Sequence, residues 1–171
     1  MLSKKMEAAL NDQINAEAGS AYLYWSMAAY FHANNLPGFA NWMTVQAKEE
    51  MTHADKFYQF IVDRGGTVQL KAIKAPEVEW ASPLAAFKAA YKHEQYVTGR
   101  INSLVEQAAA EKDHATAAML QWFVTEQVEE EKSADEIVQM LSMAGDAKGA
   151  LFMIDRELGK RVFTPPAAAA E

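Results

Sequence analysis

Four stretches of this chain, near residues 3–31, 37–63, 83–111 and 113–144, repeat apolar residues at alternating spacings of three and four. Each interrupts its apolar stripe near the middle with a carboxylate. The first stripe reads Leu10, Ile14, Glu17, Ala21, Tyr24, Ala28, Phe31, and the second Phe39, Met43, Gln46, Glu50, His53, Phe57, Phe60. The third reads Phe87, Tyr91, Glu94, Thr98, Ile101, Val105, Ala108, and the fourth Leu120, Phe123, Gln127, Glu130, Ala134, Ile137, Leu141. A helix with such a stripe must bury it, and here burial carries an acid inward from every helix.

The breaks between the stretches fix how they connect. Asn34-Asn35-Leu36-Pro37-Gly38 ends the first helix and puts Pro37 in the first turn of the second. Gly65-Gly66 stops the second helix, and Ser82-Pro83 supplies an N-cap and an N1 proline for the third. Asp113 can cap the fourth helix, which ends near Gly145; Asp146 can cap a short fifth over 147–162. At 1.5 Å per residue the long helices are roughly 42–45 Å each. The first pair and the second pair have short connections, so both should be antiparallel hairpins. Residues 65–82 read as extended, and such a stretch can span roughly 60 Å. The expected fold is all-α: an antiparallel four-helix bundle with one long crossover and a short fifth C-terminal helix. One domain over 1–163 is expected, with a frayed, flexible tail over 164–171.

Composition excludes several functions. The 171 residues contain no cysteine, which removes a disulfide scaffold, a thiolate zinc or iron–sulfur site and a cysteine nucleophile. A formal net charge of −7 argues against a nucleic-acid partner. No apolar run reaches the roughly 18 residues of a membrane span, and the N-terminus has no signal-peptide core. A cytoplasmic location, with no membrane partner, is the expectation.

A single mid-stripe glutamate ordinarily sits at a helix boundary with its head in water. Four together are another matter. An isolated ionised carboxylate in a low-dielectric interior costs on the order of tens of kcal/mol. Four in one core must be protonated, paired or metal-bound, and no Lys or Arg stands at the central stripe positions. Two divalent cations would balance them. Four Glu and one His are mostly hard oxygen donors with one imidazole, which suits Fe, Mn or Zn. Glu50-Met51-Thr52-His53 is Glu-x-x-His, whose i and i+3 side chains share a helix face.

With these residues in view, the chain resembles the bacterial non-haem ferritins from Leu2 to about Phe163. The resemblance is carried by Gln13-Ile14-Asn15-Ala16-Glu17, Tyr22-Leu23-Tyr24, Glu49-Glu50-Met51-Thr52-His53-Ala54, Tyr91-Lys92-His93-Glu94-Gln95 and the run Leu120 to Glu131. It implies a ferritin-like bundle in which Glu17, Glu50 and His53 hold a first iron. Glu50 would bridge to a second, held by Glu94 and Glu130. Gln127 would hydrogen-bond a bound water or dioxygen species, with Tyr24 as the family's tyrosine beside the site. A third iron position would use Glu49, Glu126, Glu129 and Glu130. The plain alternative for Glu126, Glu129 and Glu131 is a solvated acidic face.

The fourth helix offers Gln127-x-x-Glu130 where bacterioferritins carry a second Glu-x-x-His, so the site holds one His. Met51 stands where bacterioferritins offer a haem-ligating methionine; it is read here as a packing residue, and haem is not expected. The acids that line the threefold channel of animal ferritins have no counterpart in Ala115–Leu120. The resemblance implies an iron store with ferroxidase activity that oxidises Fe(II) with O₂ and keeps Fe(III) as an oxyhydroxide mineral in a shell of twenty-four identical subunits. Leu151, Ile154, Leu158 and Val162 would give the fifth helix an apolar side for contacts between subunits. The alternative is a di-metal oxygen-activating enzyme with an organic substrate, disfavoured because the chain has no added substrate-binding domain.

Overall fold

A computed structural model describes residues 2–165. Its elements are α1 (Lys4–Ala33), α2 (Pro37–Asp63), α3 (Pro83–Glu111), α4 (His114–Ala144) and α5 (Lys148–Leu158). Most helix starts are capped locally. Ser3 Oγ accepts from Met6 N at 3.0 Å, Ser82 Oγ from Ala85 N at 3.1 Å, and Asp113 Oδ1 from Thr116 N at 3.1 Å. The helix ends use left-handed residues: Asn35 (φ 56°) after α1, Gly65 (φ 69°) after α2 and Lys112 (φ 55°) after α3.

Helices α1 and α2 pack as one hairpin and α3 and α4 as another, with α1 against α3. Helices α2 and α4 meet through side chains, including the stacked rings of Phe57 and Phe123, 4.1 Å apart. The crossover is held along α1 by side chains. Asn11 Oδ1 accepts from Gln69 N at 2.6 Å while its Nδ2 donates to Thr67 O at 3.0 Å, and Ser26 Oγ donates to Glu77 O at 2.5 Å.

The core is two apolar clusters with a polar layer between them. One gathers Tyr24, Phe31, Phe39, Met43, Phe87, Ile137 and Leu141. The other gathers Leu10, Ile14, Phe57, Ile61, Ile101, Leu120 and Phe123. Between them lie Gln13, Glu17, Gln46, Glu50, His53, Glu94, Gln127 and Glu130, all buried. Stripes one and four are buried as expected. On α3, Tyr91, Thr98 and Val105 are only half-buried, while Ala90, Val97 and Leu104 are buried. A helix between two neighbours buries a face wider than one heptad column, so the adjacent column of Ala90, Val97 and Leu104 is covered more fully. On α2, Phe60 is half-buried and Ile61 takes the interior place.

The fifth helix departs most from expectation. It ends at Leu158 rather than near 162, and its N-cap is Ala147 with no side-chain cap, so Asp146 does not serve. Leu151 and Ile154 lean on the first cluster, of which Leu158 is a member. The stripe is therefore turned onto its own bundle, not left for a neighbour. Val162 lies past the helix and is exposed. Its outward apolar residues are Phe152 and Met153. The tail expected over 164–171 lies outside the described residues from 166 onward. No helix among the described residues is long and apolar enough to cross a membrane.

Candidate metal centre

The polar layer takes its ligands from four helices because each puts one acid at the same height. Glu17 comes from α1, Glu50 and His53 from α2, Glu94 from α3, and Gln127 and Glu130 from α4. Donor atoms of Glu17, Glu50 and His53 lie within 4.8 Å of one another, as do those of His53, Glu126 and Glu130. Three glutamines orient this set. Gln13 Nε2 donates to Glu17 Oε1 at 2.7 Å, and Gln46 Nε2 donates both to Glu50 Oε1 at 3.2 Å and to Glu130 Oε2 at 2.7 Å. Gln127 Nε2 faces Glu94 Oε2 at 3.3 Å, and Tyr24 Oη donates to Glu94 Oε1. His53 Nδ1 stands 3.7 Å from Glu50 Oε2, and its Nε2 stands 3.8 Å from Glu126 Oε1.

One atom bears on a cation. Glu17 Oε2 is buried and finds no hydrogen-bond donor, while Oε1 is held by Gln13. Once its proton leaves, Glu17 has one oxygen fixed and the other without a donor, facing a second carboxylate and an imidazole, which fits a divalent ion.

The expected groupings come out unevenly. Glu17, Glu50 and His53 are together. Glu94 sits in the layer, but its two oxygens are occupied by Tyr24 and Gln127; Glu130 groups instead with His53 and Glu126. Of the further acids, Glu126 is at the layer's edge, Glu129 is exposed, and Glu49 is paired with Arg161. Glu131 Oε1 accepts from Thr98 Oγ1 at 2.5 Å. Met51 does not pack inside: it is half exposed on the outer face of α2, in a cleft with Tyr22, Trp25, Ile73 and Phe163.

Sequence reasoning missed the roles of Gln13, Gln46, Arg100 and Arg161. Arg100 Nε donates to Gln13 Oε1 at 2.8 Å, which turns the Gln13 amide so that its nitrogen faces Glu17. A signal existed for the two glutamines: Gln13 and Gln46 each stand four residues before a buried Glu, the spacing at which helical side chains meet. No local pattern marked the arginines.

Crowded acids away from water resist ionising. Burial, then the nearby Glu50 charge, raises Glu17 to about 8, and the same two causes raise Glu130 to about 8. Burial and the charges of Glu50 and Glu130 push Glu94 well above the carboxylate range. Glu50 goes the other way: burial opposes its charge, but His53, the Glu17 carboxyl and Gln46 outweigh it and lower its pKa. Burial also opposes the His53 cation, yet Glu126 and Glu50 hold its pKa well above the usual value.

This sets a pH dependence for the metal-free protein. Between the ordinary carboxylate value of 4.5 and about 8, folded Glu17 and Glu130 keep protons that the unfolded chain has lost. The folded state binds more protons, so stability falls as pH rises through that window; the raised His53 acts in the same sense above its ordinary 6.5. Melting temperature should therefore drop between about pH 5 and 9 and flatten when saturating Zn(II) replaces the protons. A melting temperature that climbs with pH in the metal-free protein would contradict this charge arrangement.

Comparison with known proteins bears on the family. A family model for the ferritin-like domain, Ferritin, matches residues 7–144. The bacterial non-heme ferritin of Staphylococcus aureus (strain USA300) is 44% identical over 163 residues, 95% of this chain and 98% of that protein. That of Bacteroides fragilis (strain 638R) is 44% identical over 161 residues, 94% of this chain and 100% of that protein. Among solved structures, an open-pore ferritin from the hyperthermophilic archaeon Archaeoglobus fulgidus superposes with a TM-score of 0.94 at 55% identity, covering 95% of this chain and all of that one. A closed form of the Archaeoglobus fulgidus ferritin, engineered by site-directed mutagenesis, gives 0.95 at 55% identity over 96% of this chain and all of that one.

Proposed function

The chain belongs to the ferritin family, and on that premise we propose which of its residues handle iron, in what order and in what assembly. It is an iron-storage protein with ferroxidase activity, oxidising Fe(II) with O₂ at a di-iron site. Fe(II) is the substrate. The first ion is held by the free Glu17 oxygen, Glu50 and His53. Glu50 bridges to the second, for which Glu130 turns in and Glu94 exchanges its Tyr24 and Gln127 bonds for the metal. The observation that carries this reading is the buried, donorless Glu17 Oε2 beside Glu50 and His53.

Several tasks then fall to this chain's own groups. Binding two Fe(II) displaces the protons held by Glu17 and Glu130, so affinity rises with pH toward 8. Hard anionic oxygens favour the higher charge of Fe(III) and so favour oxidation. Tyr24, with its hydroxyl on Glu94, is held neutral by burial and the adjacent acids. Gln127 keeps its amide beside Glu94 to hydrogen-bond water or dioxygen. The exposed Tyr22, Trp25 and Met51 support burial between subunits; the assembly in this proposal is a shell of twenty-four in the cytoplasm. The apolar cleft by Trp25 and Met51 is lined by none of the buried carboxylates, so a molecule seated there would not touch the metal ligands. An iron titration under air with concurrent size measurement tests the whole reading. Fe(III) retained in a large shell is the expected result, and soluble oxidation without retention would overturn storage.

Glu49, Glu126, Glu129 and Glu130 form the third iron position in this proposal, supported by the grouping of Glu126 with His53 and Glu130. Glu49→Ala combined with Glu126→Ala should leave the first two irons binding and reacting. The Fe(II) oxidised per O₂ should fall, because a third electron donor is lost. An oxygen-electrode ratio equal to that of the parent protein would return these residues to a solvated acidic face.

A further inference from the structure

Past α5 the chain does not leave the bundle. Asn41 Nδ2 donates to the carbonyls of Leu158 at 3.3 Å and Arg161 at 2.9 Å, which lays residues 159–165 back along α2. The Arg161 guanidinium lies 4.3 Å over the Trp42 ring and pairs with Glu49. Both members of that pair are less than a quarter exposed, at 23% and 24%. Thr164 and Pro165 then complete a cleft of about 560 Å³ with Glu49, Thr52, His53, Lys56, Trp122 and Glu126. The C-terminal segment thus walls the side on which the metal layer opens; of its two cations, Lys160 pairs with Glu157 and Arg161 sits on an acid of that opening.

We propose that Arg161 is a positioning residue for the third iron: it holds Glu49 as a resident cation that an incoming metal must displace, so the 159–165 segment sets how readily that position fills. This rests on the reading of Glu49 as a ligand. The guanidinium and a metal ion compete for the same carboxylate oxygens. Trp42 and Asn41 anchor the segment independently of Glu49, so Arg161 stays beside the acid when the third position is empty and stays close when it is displaced. A partly exposed ion pair is worth up to about 1 kcal/mol, which corresponds to about a fivefold weakening of the competing metal. The first two irons are untouched, since the segment's cations pair with Glu157 and Glu49 and not with Glu17, Glu50 or Glu130. Iron that leaves the di-iron pair therefore meets an acid that accepts it briefly rather than tightly, as passage to a mineral requires.

The test uses full-length protein, Arg161→Ala, Arg161→Lys, and a chain stopped after Lys160, which keeps α5 whole. Anaerobic Fe(II) titration calorimetry reads the three binding events, and an oxygen electrode reads the oxidation ratio. Arg161→Ala and the shortened chain should tighten the third event about fivefold and leave the first two unchanged. They should also reach the three-iron oxidation ratio at lower Fe(II) loading. Arg161→Lys, which keeps a cation in place, should stay near the parent. Glu49→Gln provides the control. If it leaves the third event intact, the ligand reading falls and the role of Arg161 with it. If Glu49→Gln removes the third event but Arg161→Ala leaves its affinity unchanged, or shifts all three events equally, the competition is refuted while the third site stands.

Discussion

Glu50→Ala should slow rapid Fe(II) oxidation by at least about 100-fold, because losing an outer-shell partner already costs 10–100-fold in comparable metal sites and Glu50 is a shared ligand. Its place in the layer explains why no neighbour substitutes. One oxygen accepts from Gln46, the other faces His53, and the side chain lies between Glu17 and Glu130, whose protons its charge retains. Removing it also removes the buried charge that most disfavours ionisation of the other acids. His53 can shed its proton and remain as a neutral ring, so no lone buried cation is left. The bundle should fold, and Glu50→Gln, which keeps volume and hydrogen bonding, separates a packing effect from a ligand effect. Both variants should show parent-like far-UV circular dichroism and lack the fast phase in stopped-flow oxidation. A folded Glu50→Ala protein reacting at parental speed would refute the bridge.

How much of this could be read from the chain depended on sequence distance. The metal layer was legible because its acids interrupt helical stripes, and a 3.6-residue period places one acid from each of four helices in the same interior. The Gln-x-x-x-Glu pairs at 13/17 and 46/50 were missed although local helical spacing alone brings them together. The second buried column of α3 was not legible, because both columns recur at helical spacing and the aromatic Tyr91 marks the half-buried one as strongly as Val97 and Leu104 mark the buried one. Arg161 and Glu49 are 112 residues apart, and nothing local announces that an arginine after the last helix returns to α2. The stripe of α5 showed that this helix has an apolar face but not which surface covers it.

That covering surface yields the other large effect. Helix α2 begins at Pro37 with Leu36 in the cap position and no side-chain cap of its own. Asp155, from the far end of the chain, fills the role: its Oδ1 accepts from Gly38 N at 2.8 Å and Phe39 N at 3.1 Å. The approach is so close that a Cβ on Gly38 would lie 1.6 Å from the Asp155 carbonyl oxygen and 2.5 Å from its carbonyl carbon. Those are backbone atoms, which no rotamer change can move aside. Ala is otherwise the better helix former by about 1 kcal/mol, so propensity alone predicts that Gly38→Ala stabilises. The contact predicts the opposite. With α5 displaced, a charged cap worth about 1–3 kcal/mol and burial of Leu158 worth about 1.5–3 kcal/mol are lost. Gly38→Ala should therefore destabilise by on the order of 3 kcal/mol in denaturant unfolding. Asp155→Ala, which removes the cap but not the packing, should cost about 1–2 kcal/mol. Cutting the chain after Gly145 should weaken the bundle itself, because Leu151, Ile154 and Leu158 cover its first apolar cluster. Any loss of shell on truncation would then follow from a loosened subunit end as well as from the outward Phe152 and Met153. Unfolding midpoints that rank Gly38→Ala at or above the parent would show that α5 does not hold this position in solution.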